Sequence, residues 1–224
     1  MRAMILAAGR GERLRPLTDT CPKPLVKACG KPLIQYHLEN LARAGFSTVV
    51  INHAWLGHML EETLGDGSRW GLEIIYSPEG TALETGGGIK KALPLLSPNG
   101  QDPFFVINGD IFIDDLPSDL MLPTGKLAHL FLVSNPENHP NGDFVLEQGL
   151  VSEDEDKPRL TFAGMGVYHP ALFDDSPQGP FGTPLLLRKQ MPLQKISGTH
   201  FQGYWLDVGT VERLKGLEAR LTHI

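Results

Sequence analysis

The segment Leu6-Ala7-Ala8-Gly9-Arg10-Gly11-Glu12-Arg13-Leu14-Arg15-Pro16-Leu17-Thr18, followed by Pro22-Lys23-Pro24, gathers glycines and cations as a bound polyanion requires. Gly9 and Gly11 allow positive φ and a close approach of backbone N–H groups to a phosphate chain. Arg13 or Arg15 adds forked, charge-assisted hydrogen bonds. Prolines on both sides of Lys23 stiffen the backbone, so that its ammonium is held in place. The pattern is neither G-x-x-x-x-G-K-[ST] nor G-x-G-x-x-G. Glu12-Arg13-Leu14 stands where a dinucleotide fingerprint has its third glycine, which argues against a nicotinamide-dependent dehydrogenase.

Asn108-Gly109-Asp110 and Trp205-Leu206-Asp207-Val208-Gly209-Thr210 each set an aspartate beside a glycine at an apparent strand end. Alone, either aspartate reads as a turn former or helix cap. Beside a phosphate loop, two carboxylates with phosphate oxygens and waters are the usual way to hold Mg²⁺ at a nucleotide site, and Asp110 and Asp207 are that candidate pair. A third segment, Ser77-Pro78-Glu79-Gly80-Thr81-Ala82-Leu83-Glu84-Thr85-Gly86-Gly87-Gly88, offers backbone amides and carbonyls to a flat heterocycle. Its glycines let the following helix begin close to a ligand.

These segments need a scaffold that delivers them to one edge. Apolar, β-rich runs over 3–8, 48–52, 72–76 and 104–108 alternate with helical patterns over 32–44, 57–64 and 86–96. That alternation predicts an α/β, Rossmann-like fold: a mostly parallel central sheet with helices on both faces. Ligands of such sheets gather at the carboxyl ends of the strands, where the phosphate loop and Asp110 fall. Beyond position 126, strands over 128–133, 143–146 and 160–168 suggest a mixed or antiparallel addition that walls the substrate, and 211–221 predicts a closing helix. No linker or repeat divides the chain, so residues 1–224 read as one domain. The charged run 153–157 reads as a solvated turn.

A net charge of −6 gives no footprint for nucleic acid or an anionic membrane. The first apolar run stops at Gly9, too short for a signal or transmembrane segment, and Cys21 and Cys29 suit neither a redox motif nor a disulfide framework. A cytoplasmic location is expected. The eight histidines are scattered without zinc spacing and read as surface or hydrogen-bonded core residues.

The run LAAGRGERLRPLTDTCPKPL resembles the LAAGxGxRxxPLTxxxPKP hallmark of the sugar nucleotidylyltransferases, and the resemblance extends over essentially the whole chain. INHAWLG, GDGSRWGLEIIYSPEGTALETGGGIKKALPLL and YWLDVGTVERL resemble the uridylyltransferases of bacterial cell-wall recycling more narrowly. The resemblance implies a magnesium-dependent enzyme joining UTP, or another nucleoside triphosphate, to a sugar-1-phosphate, N-acetylmuramate α-1-phosphate in the narrow case. It implies that Ala8, Gly9, Gly11, Arg13 and Lys23 contact the triphosphate, with Glu12 in the same loop, and that Arg13 and Lys23 are catalytic. By the same carry-over Glu79, Ala82 and Gly86 lie around the base, Asp110 and Asp207 hold the metal, and Asn108 lies near the ribose or sugar. Gly142, Asp143, Gly164 and Trp205 line the sugar side, and Asp156-Lys157-Pro158 matches the family's acidic-lysine-proline segment. Arg159 and Arg188 are candidates, by charge alone, for meeting the lactyl carboxylate of N-acetylmuramate.

The chain ends soon after its closing helix, so the resemblance does not extend to the left-handed β-helix of larger relatives. A monomer or small homo-oligomer is expected. The alternatives are the same chemistry on glucose-1-phosphate with dTTP or mannose-1-phosphate with GTP, and a non-catalytic nucleotide-sugar sensor on the same fold.

Overall fold

The computed structural model describes residues 1–154 and 156–223. Its strands are β1 (Ala3–Leu6), β2 (Lys27–Ala28), β3 (Lys31–Pro32), β4 (Thr48–His53), β5 (Glu73–Pro78), β6 (Phe104–Asn108), β7 (Ile111–Ile113), β8 (Ala128–Val133), β9 (Val145–Glu147), β10 (Leu150–Ser152), β11 (Thr161–Tyr168), β12 (Ile196–His200) and β13 (Trp205–Asp207). Its α-helices are α1 (Leu17–Thr20), α2 (Leu33–Arg43), α3 (Gly57–Leu64), α4 (Glu84–Leu96), α5 (Pro184–Gln190) and α6 (Val211–Thr222).

The large sheet runs β5-β4-β1-β6-β11-β8-β12-β10-β9. From β5 to β6 every pairing is parallel. Beyond β6 the pairings are antiparallel except for β8 with β12, so the antiparallel addition is as large as the parallel part. Side chains alternate between two cores. Ala3, Ile5, Val49, Ile51, Phe105 and Ile107 face one that also takes Ile34, Leu38 and Leu41 of α2 and Leu60 and Leu64 of α3. Met4, Val50, Phe104 and Val106 face the other, covered by Ile89, Ala92 and Leu96 of α4 and Leu186 and Leu187 of α5. A sheet covered on both faces must have strands apolar at successive positions, which is why β1, β4 and β6 read as unbroken hydrophobic runs.

α2 follows from apolar residues at 33, 34, 38 and 41, one stripe at helical spacing, and Gly45 stops it at φ 83°. His37 lies on the same stripe and is fully buried, with no hydrogen-bond partner on either ring nitrogen. Burial pushes its pKa down to about 4, with the Ile111 backbone and the Asp110 charge pulling the other way. Because the folded pKa lies below the unfolded one, folding stability is whole above about pH 6.5 and is lost as pH falls toward 4, a loss of about 2 kcal/mol from this residue at pH 5. His37→Leu is expected to remove that share of the acid sensitivity, read as urea midpoints at pH 7 and pH 5. An unchanged pH dependence in the variant would assign the acid loss elsewhere.

Two short pairings complete the frame. β2 and β3 form a hairpin, and β13 pairs antiparallel with β7 in a ribbon separate from the large sheet. Val26, Ala28, Leu33, Phe112, Val208, Leu214 and Leu217 form a third core that fastens α6 and this ribbon to the hairpin.

Candidate functional site

β1 ends at Leu6, and the chain leaves the sheet between β4 and β6, the point to which a phosphate loop is delivered in a parallel sheet. Gly11 has φ 70°, and a Cβ there would stand 2.9 Å from the Thr18 methyl and 3.0 Å from Lys23 Cβ, so both conformation and packing demand glycine. Thr18 Oγ1 donates to the Gly11 carbonyl at 2.7 Å and fixes the far side of the loop. Around the missing side chain of Gly9 there is open space, and Gly9 lines a cavity of about 320 Å³ with Ala7, Ala8, Lys23, Asn52, Ala82, Thr85, Asn108 and Asp110.

Lys23 opens a 3₁₀ turn, Lys23–Leu25, held between its two prolines, and is only 7% exposed. Its Nζ donates to Asp110 Oδ2 at 2.7 Å. Asp110 occupies the turn between β6 and β7, and its backbone carbonyl accepts from Val208 N at 2.8 Å. The β7–β13 ribbon thus places Asp207, opposite Ile111, beside Asp110. Asp207 is salt-bridged to Arg213 on the first turn of α6, whose N-cap is the Thr210 side chain. A Cβ on Gly209 would stand 3.0 Å from Arg13 Nη2, 2.9 Å from Arg213 Nη2 and 3.0 Å from Asp207 Oδ1, so two guanidiniums and one carboxylate converge there. Glu12 is exposed in the turn before them and lines neither this point nor the cavity.

On the base side, Asn52 links the parts. Its Oδ1 accepts from Ala7 N at 2.9 Å and its Nδ2 donates to Glu79 Oε1 at 2.6 Å, while Glu79 Oε2 accepts from Leu83 N at 2.8 Å. Glu79 therefore spends one lone pair of each oxygen on holding the loop that carries Ala82. The triple glycine answers a packing demand from the protein. Cβ atoms on Gly86, Gly87 and Gly88 would meet Phe181 at 2.3 Å, the Gly179 carbonyl at 2.7 Å and Glu79 Oε1 at 2.5 Å. Gly86 N also donates to the Phe181 carbonyl at 2.8 Å, and Gly86 is not among the residues that line the cavity.

A second cavity of about 360 Å³ lies against Trp205 and Asp207, lined also by Ser134, Asn138, Gln202, Tyr204 and Arg213. Trp205 Nε1 donates to the Ala163 carbonyl at 2.8 Å. The next residue, Gly164, sits at φ 72° in an irregularity of β11, and a Cβ there would stand 2.7 Å from Asn108 Nδ2. Asn108, Gly164 and Trp205 are thereby brought together between the two cavities.

Gly142 and Asp143 line neither cavity. Gly142, at φ 61°, packs against Asn135 and Arg159, and both carboxylate oxygens of Asp143 are engaged, by His139 Nε2 at 3.0 Å and Phe162 N at 2.8 Å. They fasten the 135–143 loop to β11. In the charged run, Lys157 is exposed and bonded to Glu147 Oε2 at 2.6 Å, while Glu155 lies outside the described residues. Arg188 is likewise exposed and paired with Glu153 at 2.6 Å, and it lines neither cavity. Sequence reasoning missed Asn52 and Arg213. Asn52 had a usable signal, a polar residue at the carboxyl end of an apolar strand, whereas Arg213 had none beyond its closeness to Asp207.

Among the described residues no group of three or more His, Cys, Asp or Glu could hold a metal ion, and no helix is long and apolar enough to cross a membrane. The Nucleotidyl transferase family model matches residues 2–223. The chain is 50% identical to the N-acetylmuramate alpha-1-phosphate uridylyltransferase of Neisseria meningitidis serogroup B, covering 98% of this chain and 97% of that one. It is 36% identical to the enzyme of the same name from Caulobacter vibrioides, covering 98% and 96%. The crystal structure of UDP-glucose pyrophosphorylase complexed with UDP-glucose superposes with a TM-score of 0.77 at 20% identity, covering 99% of this chain and 98% of that one, a likeness of fold. With the glycine loop, the buried lysine and Asp110 at one sheet edge, Asp207 brought beside Asp110 by the ribbon, and a family model matched over residues 2–223, the chain belongs to the nucleotidyl transferase family.

Proposed function

We propose that this protein, as a single domain over residues 1–224, is a uridylyltransferase that joins UTP to N-acetylmuramate α-1-phosphate, giving UDP-N-acetylmuramate and pyrophosphate. The observation that carries the reading is the aspartate pair, Asp110 and Asp207, tied by the Val208 N–H to Asp110 carbonyl bond and flanked by two cavities. The cavity with the glycine loop, Asn52 and Ala82 takes the nucleotide, and the one with Trp205 takes the sugar. The half-identical relative supports the choice of uridine and N-acetylmuramate.

The donor set fits Mg²⁺: the ribbon brings two carboxylates side by side, with the remaining positions left to phosphate oxygens and water. When bound, the metal supplies charge neutralisation between the two phosphates. The chain's own residues do the rest. A phosphate monoester has its second pKa near about 6, so the attacking oxygen is already ionised and no general base is needed. Gly9 and Gly11 give the triphosphate access to backbone N–H groups, Lys23 sits beside the reacting phosphates, and Arg13 faces the departing pyrophosphate. Catalysis is alignment and fixed charge.

The test is pyrophosphate release in the presence of magnesium, crossing UTP, dTTP, GTP, CTP and ATP with N-acetylmuramate-, N-acetylglucosamine-, glucose- and mannose-1-phosphate. The expected maximum is UTP with N-acetylmuramate α-1-phosphate. A maximum on another pair keeps the chemistry and changes the substrate, and binding without release from any pair gives the sensor instead.

A further inference from the structure

The sugar-side cavity contains one basic side chain among its lining residues, Arg213, set among Ser134, Asn138, Gln202, Tyr204, Trp205 and Asp207. Arg213 is held in place from both ends. Its backbone N–H is capped by Thr210 Oγ1 at 3.3 Å, and its guanidinium is paired with Asp207 and largely buried, its side chain only 19% exposed. Arg13 Nη2 reaches the same Gly209 corner from the glycine loop, and among the described residues the ion pair of Asp207 is with Arg213. Arg13 does not line the sugar-side cavity, which leaves Arg213 as the cation that a second anionic group on the sugar would meet. The sequence candidates do not compete for this place: Arg188 is spent on Glu153 at the surface, and Arg159 lines neither cavity.

We propose that Arg213 is the specificity-determining residue of the sugar-side cavity, receiving a carboxylate on the sugar ring's substituent through a charge-assisted, forked hydrogen bond, so that the cavity selects acidic sugar phosphates over neutral ones. This rests on the reading of the second cavity as the sugar side. A guanidinium suits the task because its planar fork matches a carboxylate, whereas the neighbouring polar side chains offer hydrogen bonds to hydroxyl and amide groups.

N-acetylmuramate α-1-phosphate is N-acetylglucosamine α-1-phosphate carrying a lactyl ether on O3, a substituent whose one charge is its carboxylate, so the change in their ratio on removing the guanidinium charge reports on that carboxylate. Isothermal titration of each onto the wild type and Arg213→Gln measures the selection without turnover. The wild type is expected to bind the acidic sugar at least about 10-fold more tightly, and the variant to bind the two within about threefold of each other, because one charge-assisted bond to a carboxylate contributes roughly 10- to 100-fold. The ratio cancels whatever the substitution does to Asp207, which both sugars share. Arg213→Lys keeps the charge without the fork and is expected to fall between the two. A ratio unchanged by Arg213→Gln, or a wild type that binds both sugars equally, overturns the assignment. Pyrophosphate release by the wild type is measured alongside. Its absence from every pair defeats the proposed function, while the titration still reports on Arg213.

Discussion

Asp110→Asn is expected to lower pyrophosphate release by on the order of 1,000-fold while leaving the protein folded. The choice of asparagine follows from Lys23. That lysine is 7% exposed and its ammonium has Asp110 as its ion-pair partner at 2.7 Å. Asp110→Ala would strand a buried cation, and breaking a buried pair in this way costs about 3–5 kcal/mol. The cost here is expected at about 1–3 kcal/mol, since the Asp110 side chain is 36% exposed and water can reach the vacated place. Asparagine keeps an oxygen for Lys23 and removes the charge that a divalent cation needs. The two variants together separate the roles: both should lose turnover, and only the alanine should lose stability by urea unfolding. Turnover of the asparagine variant within tenfold of the wild type at saturating magnesium would take Asp110 out of the metal assignment.

The contrast between the two aspartates shows what a sequence can disclose about such a site. Asp110 follows an apolar run directly, so the strand β6 and the turn that presents the carboxylate are one local pattern. The same holds for the glycine loop after β1 and for Lys23 between its prolines. Asp207 is different. Its place beside Asp110 depends on a three-residue ribbon, β7 with β13, whose members lie some ninety positions apart and are too short to announce a pairing. The sequence supports each aspartate as a strand-end residue, and the tertiary ribbon makes them neighbours.

Glycines carry a second ambiguity. A glycine beside a ligand and a glycine beside a packed side chain look alike in sequence. Gly9 has open space around it, whereas Gly86, Gly87 and Gly88 are each pressed on Phe181, Gly179 or Glu79. At these three positions the close approach in the structure is to protein side chains and backbone. β12 was missed for a related reason. Ile196-Ser197-Gly198-Thr199-His200 has the composition of a loop, yet it runs as a strand between β8 and β10, where a Cβ on Gly198 would stand 2.7 Å from the Val151 side chain and 3.0 Å from the Leu130 carbonyl. Strand propensity here yields to the space available.

Lys23→Ala is expected to lower turnover on the order of 100-fold or more, with less than about 1 kcal/mol lost in stability. The asymmetry with Asp110→Ala has a physical cause. Removing the lysine leaves behind a carboxylate that is one-third open to water, and solvent can replace the lost partner. The lysine also has a packing role, since its Cβ and Cδ lie 3.0 and 3.4 Å from where a Gly11 side chain would begin. Lys23→Met therefore serves as the companion variant, because it keeps an unbranched stem against Gly11 and removes only the charge. If the ammonium neutralises charge that develops on the reacting phosphates, both variants fall together in kcat, and the KM for UTP changes less than kcat does. A methionine variant that retains turnover within threefold of the wild type would make the lysine a packing residue. Loss of folding in both variants, seen as loss of a cooperative urea transition, would make it a structural one.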